Sequence, residues 1–292
     1  MKNILITGAN GQLGCEMQRL GALSPNQWHY TDVDRLDITD ATAVEQYIAA
    51  NNIDIIVNCA AYTNVDKAES DEATAMLINS TAVGNLAQSA HRHNATLIHI
   101  STDYVFGMQG NTPRTEDMPL APLGAYGRTK LAGEQAIVAS GCKAIIIRTA
   151  WLYSEFGHNF VKTMLKLTAE KESIKVVFDQ VGSPTYAADL ALTIFSIIEG
   201  DMYSGNEGTY HFSDEGVCSW YDLAVETARM AGHTNCHIEP CHSHEYPTPV
   251  TRPPYSVLDK SKIKATFGIE IPHWRESLAY CIKRIAMASH QQ

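Results

Sequence analysis

The sequence has no run of basic residues, no long apolar stretch and no paired-cysteine motif, and each gap removes a class of function. Lys and Arg number 22 against 32 Asp and Glu, a formal net charge of −10. That is the wrong sign for holding a nucleic-acid backbone, which needs clustered Lys and Arg. No apolar run reaches the ~20 residues of a membrane span. The chain enters strand pattern directly after Lys2, without a signal-peptide apolar region. A cytoplasmic protein without nucleic-acid or membrane partners is expected. The 7 cysteines include no C-x-x-C pair, and the apolar surroundings of Cys59 and Cys142 read as reduced, buried thiols. His233, Cys236, His237, Cys241, His242 and His244 are zinc-ligand types, but their spacing matches no closed zinc site. The stretch Ile238-Glu239-Pro240 through Pro247-Thr248-Pro249 reads as an irregular surface segment, and no metal is expected.

What is present is a hydrophobic fraction of 45% over 292 residues, enough for a sizeable core in one large or two modest domains. The first half alternates strand and helix patterns. Strands are expected at 3–7, 28–31, 53–58, 96–100 and 143–148, with helices at 12–23, 41–50, 71–91 and 124–140. Such alternation implies a Rossmann-type, doubly wound parallel sheet with helices on both faces. Past about Trp151 the pattern loosens, with helices expected at 159–168, 184–198, 220–231 and 274–286, and strands at 174–177 and 209–213. The expected division is a dinucleotide-binding domain over 1–150, with 172–200 returning to it. A smaller α/β substrate-binding domain would comprise 151–171 and 201–292.

Two motifs carry chemistry. Gly8-Ala9-Asn10-Gly11-Gln12-Leu13-Gly14 follows the apolar run Ile4-Leu5-Ile6 and opens a helix. In that setting Gly8 permits the tight turn, Gly11 lets backbone approach a pyrophosphate, and Gly14 lets helix pack on strand. The spacing is G-x-x-G-x-x-G. A carboxylate for the adenosine ribose is expected after the second strand, with Asp32 preferred to Asp34; it favours NADH, and nearby Arg35 softens that preference.

The second motif is Tyr126-Gly127-Arg128-Thr129-Lys130. Positions i and i+4 share one helix face, and of 13 tyrosines only Tyr126 has a lysine four residues on. A free phenol titrates near ~10, so a neighbouring ammonium is expected to lower the Tyr126 pKa and make it a proton donor. Thr102, at the end of the fourth strand, would polarise a substrate carbonyl beside it. Arg252, held before Pro253-Pro254, is the candidate phosphate or ribose contact in the second half.

The glycine loop, Asn58-Cys59-Ala60-Ala61-Tyr62-Thr63, Ser101-Thr102-Asp103 and the Tyr126/Lys130 pair resemble the extended short-chain dehydrogenase/reductases. Longer signatures resemble the dTDP-4-dehydrorhamnose reductase family within them: Ala61 through Glu69, Ser101 through Phe106, Arg148 through Tyr153, Asp179 through Thr185, and Arg252 through Asp259. The resemblance runs to about Leu278. It implies hydride transfer from NADH or NADPH to the C4 ketone of dTDP-4-dehydro-L-rhamnose, giving dTDP-L-rhamnose for polysaccharide synthesis. By position it makes Thr102, Tyr126 and Lys130 catalytic. Gly11, Gln12, Leu13, Asp32, Asp37, Ile38, Ala61, Tyr62 and Thr63 would line the cofactor, beside Gly8 and Gly14. Thr102, Asp103 and Trp151 would contact the sugar nucleotide.

A homodimer is among the assemblies the resemblance implies. In some relatives Mg²⁺ bridges subunits through carboxylates; Glu16 matches one such position, but Ile285 through Gln292 offers no carboxylate side chain, so no Mg²⁺ bridge is expected. Two other readings share the fold. A dehydratase or epimerase would retain NAD, but a dehydratase needs an Asp-Glu pair after the threonine, where this chain has Asp103-Tyr104. A non-catalytic regulatory homologue is free to lose Thr102, Tyr126 and Lys130, which here are intact.

Overall fold

In the computed structural model, which describes residues 1–289, apolar runs at the expected places form one parallel sheet. Its strands are β1 (Asn3–Thr7), β2 (Gln27–Thr31), β3 (Ile55–Asn58), β4 (Thr96–Thr102), β5 (Lys143–Thr149) and, at the far edge, Gly208–His211. All neighbours run parallel, in the order β2-β1-β3-β4-β5 followed by 208–211. Successive side chains point to opposite faces. Thus Ile4, Ile6, Ile55, Val57, Ile98, Ile145 and Ile147 join one core, and Leu5, Ile56, Leu97 and Ile146 join another. Helices α1 (Gln12–Gly21) and α8 (Ala187–Glu199) cover the first face. Helices α2 (Ala41–Ala50), α5 (Ala82–Arg92) and α6 (Ala125–Ser140) cover the second. Strand order reverses between β2-β1 and β3, so the crevice at the carboxyl ends of β1 and β3 is where such a sheet binds ligands.

Local sequence sets the ends of these helices. Asp40 caps α2 by accepting from the Thr42 and Ala43 amides. Gly141, at φ +69°, ends α6 in the left-handed region. The helix expected over 71–91 is interrupted. Short helices α3 (Val65–Ala68) and α4 (Glu72–Met76) precede a π-turn at Leu77–Thr81 that runs into α5. At the bulge Asn79 is buried: it accepts from the Tyr62 amide and donates to the Tyr62 carbonyl and Thr129 Oγ1. The loop after β3 is thereby tied to α6, in keeping with π-bulges clustering at functional sites.

A second core gathers Tyr153, Val161, Tyr186, Leu223, Trp274, Leu278 and Ile282, from α7 (Phe160–Glu170), α9 (Trp220–Met230), α10 (Trp274–Ser289) and the short strands between. Three expectations change here. Residues 173–177 do not return to the large sheet; they pair with a strand at His237–Cys241. Within 172–200 it is α8 that packs on the large sheet, and 208–211 joins the sheet beyond the boundary at 200. The stretch expected to be irregular from Ile238 thus begins as an edge strand, which tolerates Pro240 because an edge leaves one side unpaired; Cys241, its last residue, is buried. Finally, Cys59 and Cys142 are half-buried rather than enclosed, although all 7 cysteines are free thiols. Among the described residues no helix is long and apolar enough to cross a membrane.

Candidate active site

The crevice opens into one cleft of about 1260 Å³ running from the glycine loop to the second core. At its first end Gly8 adopts φ +64°, and a Cβ there would lie 2.6 Å from the Ala60 nitrogen. A Cβ on Gly14 would lie 2.3 Å from the Gly8 carbonyl oxygen. The turn and the approach of α1 therefore exclude any side chain at these two positions. Helix α1 is preceded by Gly11 at its N-cap position, which offers no side-chain cap, leaving its first amides for an anion. Asp32 lines the cleft, its carboxylate held by the Asn10 and Val33 amides at 3.0 and 2.8 Å. Asp34 and Arg35 do not reach the wall. These features fit a dinucleotide: amides for the pyrophosphate, bare backbone beside them, and an acceptor for a ribose hydroxyl.

Gly8, Gly11, Gln12, Leu13, Asp37, Ile38, Ala61 and Thr63 also line the cleft. Gly14 and Tyr62 do not. Gly14 acts through packing, as its spacing implies. The Tyr62 ring packs near Ala68, Ala75 and Ala125, and its hydroxyl donates to Asp71. Asn79 holds both backbone groups of Tyr62.

At the centre, β4 and α6 bring Thr102, Asp103, Tyr126 and Lys130 together. Thr102 Oγ1 accepts from the Tyr104 amide at 3.2 Å and donates to Asp103 Oδ1 at 3.0 Å. Thr102 bears on the Tyr126 phenol and favours its ionised form. Burial pushes the phenol up, more than the Thr102 side chain pulls it down. The expected lowering by Lys130 is therefore not what the site does by itself; enclosure keeps Tyr126 protonated, the form a general acid requires. The Lys130 ammonium is pushed down to about 8 by burial, with Glu134 opposing. Asp103 is buried, its Oδ2 lacks a hydrogen-bond partner, and burial raises its carboxyl to about 7.

Sequence reasoning missed three neighbours. Tyr104 meets Tyr126 edge-on at 5.4 Å, and burial pushes its phenol up to about 12. Trp220 stacks on Trp151 with ring centroids 3.6 Å apart and planes at 12°. Both indoles line the cleft, and Trp151 sits at φ +50°, a strained conformation for a bulky residue. Asn159 donates to Gln12 Oε1 at 2.9 Å, linking the glycine loop to the start of α7. Only the Ser101–Phe106 motif signalled one of these, Tyr104. Arg252 also lines the cleft, paired with Asp66 at 3.0 Å. Among the described residues no cluster of three or more His, Cys, Asp or Glu is arranged to hold a metal ion.

A glycine loop at the switch point and a Tyr–Lys pair beside a threonine define a dinucleotide-dependent oxidoreductase of the extended short-chain class. Residues 1–287 match the RmlD substrate binding domain family, and the chain belongs to that family. It is 39% identical over 290 residues to a dTDP-4-dehydrorhamnose reductase of Mycolicibacterium smegmatis, covering 99% of this chain and 87% of the relative. It is 40% identical over 287 residues to a probable dTDP-4,6-dihydroxy-2-methyloxan-3-one 4-ketoreductase of Streptomyces antibioticus, covering 98% and 96%. Among solved structures, dTDP-4-dehydrorhamnose reductase from Bacillus anthracis in complex with NADP superposes with a TM-score of 0.91. It is 38% identical and the match covers 97% of this chain and 100% of that one.

Proposed function

We propose that this protein uses NADH or NADPH to reduce the C4 ketone of dTDP-4-dehydro-L-rhamnose, giving dTDP-L-rhamnose for polysaccharide synthesis. The observation that supports this most is the convergence of Thr102, Tyr126 and Lys130 with the glycine loop in one cleft. A bound reduced nicotinamide supplies the hydride. Tyr126 gives its proton to the C4 oxygen as charge develops there, and its protonated resting state suits that direction. Thr102 orients the phenol, and Lys130, one turn on, binds the cofactor ribose. Asp32 and the α1 amides hold the dinucleotide, with Asp37, Ile38, Ala61 and Thr63 along its course. Asp103 and the Trp151 wall receive the sugar, and Arg252 exchanges Asp66 for a phosphate or ribose oxygen. In this reading the large sheet is the dinucleotide unit and the second core the substrate unit. The protein works in the cytoplasm, as a homodimer and without a nucleic-acid partner.

The test is turnover of dTDP-4-dehydro-L-rhamnose with each reduced cofactor labelled with deuterium at the transferable position. Deuterium at C4 of the product is expected. Unlabelled product, or no consumption of either cofactor, rejects the reading. The similarity to the Streptomyces relative named as a 4-ketoreductase favours a second dTDP-linked 4-keto sugar as substrate. Competition between the two sugars in the same assay ranks them.

A further inference from the structure

A buried polar chain lies directly under Lys130 and has no part in the reading above. Thr7 Oγ1 donates to Asn58 Oδ1 at 2.7 Å, Asn58 Nδ2 lies 3.0 Å from His99 Nδ1, and His99 Nε2 lies 3.3 Å from Lys130 Nζ. None of the four residues is more than 1% exposed. The chain crosses the carboxyl ends of β1 and β3 and the middle of β4, and ends on α6.

Hydrogen-bond accounting fixes its direction. The Ala60 backbone N–H donates to Asn58 Oδ1 at 3.1 Å; a backbone amide only donates, so the Asn58 side chain cannot be flipped. Asn58 Nδ2 therefore donates, and His99 Nδ1 must accept. A neutral imidazole that accepts at Nδ1 carries its proton on Nε2, here facing Lys130. A doubly protonated ring would set two donors against each other at Asn58, and burial together with Lys130 holds the His99 pKa well below its usual value. An ammonium has only donors. The contact becomes a hydrogen bond when Lys130 is an amine whose lone pair receives Nε2–H. One of its N–H bonds then goes to the Ile100 carbonyl at 2.7 Å, and the other remains for a ligand.

We propose that His99 is a positioning residue for the reduction assigned above: its Nε2–H favours the neutral amine of Lys130, making Lys130 a proton carrier rather than a fixed cation. Once Tyr126 has protonated the substrate oxygen, it is a phenolate. The Lys130 ammonium releases one proton toward that phenolate, an N–H bond breaking as the O–H bond re-forms. The resulting amine accepts from His99, and Lys130 takes a proton from water before the next turnover.

The other groups around the pair work in both directions. From α6, Glu134 favours the ammonium, although its carboxylate is already engaged by Arg148 of β5 and Ser101 of β4. Tyr126 is on the same helix, and Asp103 and Tyr104 of the turn after β4 bear on its phenol. From β1 and β3 only the neutral Thr7 and Asn58 reach the chain.

The test needs neither cofactor nor substrate, so its failure and the failure of the functional reading are separable. The full chain, labelled with ¹³C in lysine and ¹⁵N in histidine, is titrated by NMR, with Lys130 identified by loss of its signal in Lys130→Met. His99→Asn keeps an acceptor for Asn58 but has no donor toward Lys130, whereas His99→Gln restores an N–H near the Nε2 position. His99→Asn should raise the Lys130 midpoint by about one pH unit, tenfold in proton affinity, and His99→Gln should stay within about 0.3 of wild type. The wild-type His99 ¹⁵N shifts, which require no variant to fold, should show the Nε2–H tautomer. A ring protonated on Nδ1 overturns the proposal. So does a Lys130 midpoint unchanged by His99→Asn, or moved equally by both variants.

Discussion

Replacing Glu134 by glutamine should destabilise this protein far more than the loss of one surface ion pair. Glu134 Oε1 and Oε2 accept from Arg148 Nε at 2.9 Å and Nη2 at 2.7 Å, and Oε1 accepts from Ser101 as well. The two side chains are 4% and 6% exposed, and the Arg148 guanidinium lies over the Phe106 ring at 5.2 Å. An exposed pair contributes about 0–1 kcal/mol. Here the change leaves a buried guanidinium without its counter-charge, which costs about 3–5 kcal/mol. At about 2–4 °C per kcal/mol for chains of roughly this size, the melting temperature should fall by at least about 6 °C. Urea unfolding at pH 7 followed by circular dichroism measures the loss, and Glu134→Met with Arg148→Met should recover most of it by removing both charges together. A loss below about 1 kcal/mol for Glu134→Gln would refute the claim that this pair, joining β4, β5 and α6 beneath the Tyr126–Lys130 helix, is desolvated.

Other outcomes follow from the same geometry. Trp220→Ala removes the stack that fixes Trp151, worth about 0.5–1.5 kcal/mol; it should raise KM for the sugar nucleotide about 2–12-fold and leave cofactor affinity unchanged, by steady-state kinetics and cofactor titration. Gly14→Ala drives a methyl into the Gly8 carbonyl and should abolish measurable dinucleotide binding by calorimetry; tight binding would show that α1 can retreat. Asp103 holds its proton to about pH 7 when folded, against 3.8 in the free side chain, so its contribution to stability is full below about pH 4 and is lost as pH rises to about 7. Asp103→Asn removes that slope. It should gain up to about 4 kcal/mol over wild type at pH 8 and nothing below about pH 4, by urea unfolding across pH, since the shift is about 3 units at 1.36 kcal/mol each.

Four strands of the large sheet, β1, β3, β4 and β5, were legible because they are short runs rich in β-branched residues, and buried parallel strands need no other signal. Gly8 and the Tyr126/Lys130 spacing were legible for a related reason, since each is a local constraint written within one turn of chain. What could not be read depends on residues far apart. Trp220 supports Trp151 from 69 positions away, and His99 meets Lys130 across 31. Tyr62 was assigned to the cofactor by its position in the family resemblance, and the Asn79 side chain that holds its backbone from a π-turn 17 residues on has no local signal in the sequence. The strand at 237–241 was hidden by Pro240 and polar neighbours, which are compatible with an edge strand though they resemble a loop. The sign of the Tyr126 shift was missed because spacing reports the nearby amine and not the burial that dominates the shift.

The central claim is that the Tyr126 phenol is the proton donor in the cleft. Tyr126→Phe, which keeps the ring and removes only the hydroxyl, tests it most directly through single-turnover reduction of dTDP-4-dehydro-L-rhamnose, with cofactor affinity measured alongside. The account predicts a rate lower by about 10²–10⁴-fold with NADPH affinity within about threefold of wild type. Reduction at close to the wild-type rate would contradict it.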